Sequence, residues 1–79
     1  MKAIVTIMPK EGVLDPQGEA VRAALGTLGF EGVAGVRQGK LLELDLDGTD
    51  RAAAEASLRE MCERLLANTV IESYRIEIA

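Results

Sequence analysis

The sequence predicts an α+β fold: a small antiparallel sheet with two helices on one face, a two-layer sandwich of the ferredoxin-like type. Three observations predict it. Apolar residues at strand spacing mark both ends of the chain and its middle, at MKAIVTIM, LLELDLDG and ESYRIEIA. Two intervening segments carry helical periodicity together with helix start and stop signals. The whole chain is 79 residues, with no linker or low-complexity stretch, so residues 1–79 are expected to form a single domain.

The first strand is expected to be covered on both sides. Ala3, Val5 and Ile7 share one face, and Ile4, Thr6 and Met8 share the other. Pro9 ends it, because proline has no N–H to give to a ladder.

DPQGEAVRAALGTLGF then reads as a helix with both ends signalled. Asp15 is the N-cap and Pro16 occupies the first helical position, where a missing N–H costs nothing. Val21, Ala24, Leu25 and Leu28 follow the spacing of a buried stripe, and Gly29 can take the left-handed conformation that closes the helix.

The middle of the chain holds two β runs. Val33 to Arg37 is the first; Leu42, Leu44 and Leu46, alternating with Glu43, Asp45 and Asp47, form the second. Two orders stay open here. Gln38-Gly39 can turn a hairpin, giving β-α-β-β-α-β, or the middle is one long bent strand, giving β-α-β-α-β.

TDRAAAEASLREMCERLLAN is the strongest helical element. Ala54, Leu58, Met61, Cys62, Leu65 and Leu66 form its apolar stripe, Thr49 or Asp50 caps its start, and Asn68 terminates it. Glu55 with Arg59 and Glu60 with Arg64 stand at the favourable i,i+4 spacing. The closing run places Tyr74, Ile76 and Ile78 on one face of a last strand.

Composition narrows the function. Hydrophobic residues are 48% of the chain but aromatics only 3%, with Phe30 and Tyr74 the whole supply. A chain this short buries roughly 60–65% of its unfolded surface, so its core is thin and an oligomer or a place in a larger assembly is expected. Thirteen Asp and Glu against nine Lys and Arg give a net charge of −4, which disfavours nucleic acid and anionic membrane as partners. The N-terminal run MKAIVTIMPK is too short and too weakly charged for a secretory signal, and no apolar run approaches membrane-spanning length. A cytoplasmic protein is expected, which the lone Cys62 fits.

The usual catalytic groups are missing. Histidine is absent, removing the commonest general base and metal ligand together, and a single cysteine excludes CxxC redox and zinc sites. GVRQGK at 35–40 has Ala34 and Leu41 where a phosphate loop needs Gly and Ser or Thr. Gly29, Gly32 and Gly35 do not match the dinucleotide fingerprint. Cys62 reads as a small core residue, and Glu43, Asp45 and Asp47 as a solvated strand face with too few further ligands for a cation. No catalytic, cofactor-binding or metal-binding residue is therefore expected.

What this leaves is a contact surface. PKEGVLDPQG concentrates both prolines and two of the eight glycines in one connection. Helix entry explains Asp15 and Pro16 but not Pro9, Lys10 and Gly12. A stiff exposed connection suits a surface that holds its shape for a partner, and Pro9, Lys10, Gly12, Asp15 and Pro16 are all expected to belong to it. Arg37 and Lys40 flank the middle turn and are placed with them, as are Asn68 and Tyr74.

VTIMPKEGVLDPQGEAV, ALGTLGF, GVRQGKLLEL and MCERLLANTVIESYRIE, in that order, resemble the PurS small-subunit family of phosphoribosylformylglycinamidine (FGAM) synthase from about residue 2 to residue 78. One departure is Thr69, where the family usually has proline after the Asn of LLAN. The resemblance implies a non-catalytic subunit in purine biosynthesis that bridges a glutaminase subunit and a large synthetase subunit and assists ammonia transfer. ATP and Mg belong, on that reading, to the synthetase partner, and the small subunit self-associates as a dimer or tetramer. The rival reading is a free amino-acid-sensing regulatory domain of similar fold, with Gly12 near its ligand.

Overall fold

The computed structural model describes residues 1–79 and contains β1 (Lys2–Pro9), α1 (Pro16–Thr27), β2 (Lys40–Asp45), α2 (Arg51–Met61), a π-helical turn (Cys62–Leu66) and β3 (Glu72–Ile78). The strands form one antiparallel sheet in the order β2-β1-β3. The α+β class holds, and the order is β-α-β-α-β.

Register on β1 builds the core. Val5 stands between Leu42 and Ile76, and Ala3 between Leu44 and Ile78, so one apolar face runs across all three strands. Helix α2 covers that face with Leu58 and Cys62, which are fully buried together with Ala3, Val5 and Ile7. Burying a side chain such as Val5, Ile7 or Leu58 contributes about 1.5–3 kcal/mol each. The stripe on α2 is as expected through Cys62 and then shifts. The turn at Cys62–Leu66 closes with Ala67 N–H donating to the Cys62 carbonyl, five residues back, at 3.0 Å. That widened turn leaves Leu66 against the core and turns Leu65 out to 83% exposure.

The expected end signals at Asp15, Pro16, Asp50 and Gly29 are used, whereas the second helical element closes at Ala67, one residue before Asn68. Asp50 caps α2 by accepting from Ala53 N–H at 3.1 Å. Helix α1 closes with Phe30 N–H on the Leu25 carbonyl and Gly29 N–H on the Gly26 carbonyl, with Gly29 at φ 92°. This double closure needs the left-handed residue that only glycine supplies cheaply. Both expected ion pairs form, Arg59–Glu55 at 2.9 Å and Arg64–Glu60 at 3.1 Å.

Three expectations are corrected. Only α2 lies over the sheet; α1 projects from it, and Gly18 is its one buried residue. The stripe on α1 is consequently not a core stripe, since Val21, Ala24 and Leu28 are exposed and Leu25 is half-buried. Val33 to Arg37 forms no ladder, because no strand of the chain lies beside it, and Gln38-Gly39 turns no hairpin. Residues 31–39 are instead an extended arm that feeds β2. The second face of β1, with Ile4, Thr6 and Met8, is half-buried rather than covered.

These departures share a dimension. The molecule measures 49 × 24 × 15 Å with a radius of gyration of 15.9 Å. A compact chain of this length would have roughly 12 Å. Seven residues are buried, and all but Gly18 form one cluster in the α2–sheet half, which carries the whole core.

Candidate docking surface

The connection that leaves β1 is bound to the turn that enters β3. Lys10 N–H donates to the Ile71 carbonyl at 2.8 Å, and the Lys10 ammonium donates to the Thr69 carbonyl, also at 2.8 Å. Asn68 shapes that turn from the other side: its side-chain oxygen accepts from Val70 N–H at 3.2 Å and its carbonyl from Glu72 N–H at 2.7 Å. Glu72 closes the loop by accepting from Asn68 N–H at 2.7 Å. At the tip, Val13 N–H donates to the Lys10 carbonyl, and Gly12 has φ 82°, the turn position where a side chain is strained. Proline-rich sequence is thus converted into a turn held by hydrogen bonds at both ends.

Asp15 is the second anchor. One carboxylate oxygen accepts from Gly18 N–H at 2.9 Å and caps α1; the other accepts from Gln38 N–H, 23 residues away, at 2.8 Å. Those two bonds, in that order, hold the carboxyl below its usual range, helped by Gln17 N–H and the nearby Arg37 charge. Arg37 itself pairs with Glu11 at 3.7 Å. Two glycines let the arm come this close. A Cβ on Gly18 would overlap the Val36 carbonyl oxygen, and one on Gly39 would overlap the Ile7 carbonyl and the Met8 sulfur.

The residues singled out from sequence therefore divide. Pro9, Lys10, Gly12 and Asn68 meet at one end of the sheet, and Asp15, Pro16 and Arg37 continue from them along the start of α1 and the arm. Lys40 opens β2 opposite Ile7 and is exposed. Tyr74 is on the other side, half-buried against the core beneath α2. Glu43 and Asp45 point away from the core, with Lys2 3.7 Å from Glu43.

Apolar residues flanking the two ends of α1, which the sequence reading assigned to the core or passed over, are exposed. Leu14 is 84% exposed, Leu28 73% and Phe30 60%. Leu14 had a signal. It stands immediately before the Asp15 cap, where an apolar residue normally packs on the fourth helical residue, yet that residue is Glu19.

The chain thus combines a small core with a braced turn and an uncovered helix. The family model described as PurS, phosphoribosylformylglycinamidine (FGAM) synthase, matches residues 2–79. The chain belongs to the PurS family. It is 53% identical over 74 residues to the Synechocystis FGAM synthase subunit PurS, covering 94% of this chain and 72% of the relative. Identity to the Bacillus subtilis PurS subunit is 49% over 77 residues, 98% of this chain and 90% of the relative. The fold agrees: a B. subtilis PurS crystal structure superposes with a TM-score of 0.86 at 50% identity, over 96% of this chain and 94% of that one. A chain of the Thermotoga maritima PurLQS structure superposes with a TM-score of 0.85 at 28% identity, over 96% and 93% respectively. These relatives make this an FGAM synthase subunit of purine biosynthesis, and the amino-acid-sensor reading finds no support among them.

Proposed function

We propose that this chain acts without catalysis of its own, as the bridge between the glutaminase and synthetase subunits of FGAM synthase. The observation that carries the reading is the uncovered surface of α1 and the arm, in a family one of whose members is seen in a PurLQS structure. An isolated soluble chain gains nothing by exposing Leu14, Leu28 and Phe30 together; a subunit does, because a partner removes them from water. Self-association, as a dimer or tetramer through α1 and the unpaired arm, uses part of that surface. The braced turn of Pro9, Lys10, Gly12 and Asn68 serves the large subunits.

The chemistry is then a matter of placement. The glutaminase releases ammonia, and the synthetase, with its ATP and Mg, activates the amide oxygen that ammonia displaces. The bridge raises the effective concentration of one centre at the other and shortens the ammonia path, lowering no barrier through its own side chains. The setting is cytoplasmic, in keeping with the reduced Cys62; no helix is long and apolar enough to cross a membrane.

Reconstitution tests this. Amidine formation is measured for the two large subunits with and without this chain, using glutamine and then ammonia as nitrogen donor. Omitting the chain should abolish most glutamine-driven turnover and spare ammonia-driven turnover. Equal glutamine-driven rates in both mixtures would defeat the bridge.

A further inference from the structure

Residues 31–39 are tied to the rest of the molecule by very little. None of their backbone amides bonds to a backbone carbonyl. Their hydrogen bonds are two: Gln38 N–H to the Asp15 carboxylate at 2.8 Å, and the Gln38 side-chain amide to the Gln17 side chain at 3.1 Å. Both bonds reach the first turn of α1, and the first goes to the carboxylate that caps it. Gly18, where a Cβ would overlap Val36 and Asp15, lets the arm lie directly on that turn.

We propose that Asp15 is a positioning clasp: its two carboxylate oxygens hold helix α1 and the arm at one fixed angle, so that both are presented to partners as a single preset surface. Helix capping alone requires one oxygen. The second is spent on a bond across 23 residues of chain, where the arm has almost nothing else. Because both donors are backbone N–H groups, both oxygens act as acceptors, and the ionised carboxylate is the form that accepts strongly at both. The clasp is independent of what the partners are, so it stands or falls separately from the bridging role.

Ionisation makes the clasp pH-dependent. Hydrogen bonds from Gly18, Gln38 and Gln17, with the Arg37 charge, lower the Asp15 pKa from its ordinary value of 3.8. A carboxyl depressed in the folded state contributes fully above its ordinary pKa, and the contribution drains as pH falls through the folded value. The other charged groups at this junction are Arg37 on the arm, Glu11 on the loop, paired with Arg37, and Glu19 on α1, engaged by Arg22.

Amide hydrogen exchange by NMR on the full chain, in its native state of association, tests the clasp. In Asp15→Ser the hydroxyl still caps α1, but its single oxygen on a shorter side chain does not reach the Gln38 amide as well. Gly18 should stay protected while Gln38 loses about tenfold in protection, the size of one net hydrogen bond. Asp15→Asn, with one oxygen replaced by a donor, should show the same split, and Glu11→Gln should leave Gln38 unchanged. If the serine variant fails to fold, the unmodified chain is titrated below pH 4: Gln38 should lose its protection factor while Val5, in the central strand, keeps its own. Unchanged Gln38 protection in Asp15→Ser, or parallel loss at Gln38 and Val5 on acidification, would overturn the proposal.

Discussion

The two helices carry equivalent local instructions and meet different fates. Helix α2 begins at a capping aspartate and lays Leu58 and Cys62 into the sheet. Helix α1 begins at a capping aspartate too, ends in a cleaner closure, and leaves Val21 and Leu28 in solvent. Caps and periodicity act within a turn or two of chain, so they specify that a helix forms. Whether its apolar face is buried depends on what stands opposite. The α2 half is a core in miniature; the α1 half has no surface of this chain opposite it.

Breaking each half in turn should expose that difference. Leu58→Ala should cost about 2–5 kcal/mol in denaturant unfolding, since it empties a fully buried site under the sheet. Cys62 offers a second readout: it is buried beside Leu58, and desolvation pushes its thiol pKa up, so alkylation near neutral pH should speed up in the variant. Asp50→Ala, which removes only the α2 cap, should cost about 1 kcal/mol by the same measurement. Leu28→Ser, measured at concentrations where the chain is monomeric, should change unfolding by about 0.5 kcal/mol or less, because its side chain is largely exposed. Sedimentation should nevertheless show weaker self-association. A Leu28→Ser loss as large as that of Leu58→Ala would mean that α1 is part of the core.

The apparent weakness of the α1 half is a property of the single chain. Six buried residues make a marginal core for 79, while α1, the arm and the second sheet face stay largely exposed or half-buried. Rigid local bracing, at Lys10 to Thr69 and at Asp15 to Gln38, keeps those surfaces in shape before anything covers them. Preset surfaces lose less conformational freedom on binding than flexible ones.

By itself the sequence determined whatever is written in neighbouring residues. β1, both helices, the cap at Asp15, the second cap to within Thr49 or Asp50, the Gly29 closure, the i,i+4 ion pairs and the alternation in β2 and β3 could all be named from spacing. So could the concentration of Pro9, Gly12 and Asp15 in one connection, though not the hydrogen bonds from Lys10 to Thr69 and from Gln38 to Asp15 that brace it. Tertiary structure decided the rest. It sent the Val33–Arg37 run into an unpaired arm, left the α1 stripe outside, turned Leu65 away through a widened helical turn and placed Tyr74 beneath α2. The physical reason is range: a hydrogen-bonded turn depends on residues three to five apart, whereas burial depends on which distant surface arrives. For half of this molecule, no surface of its own does.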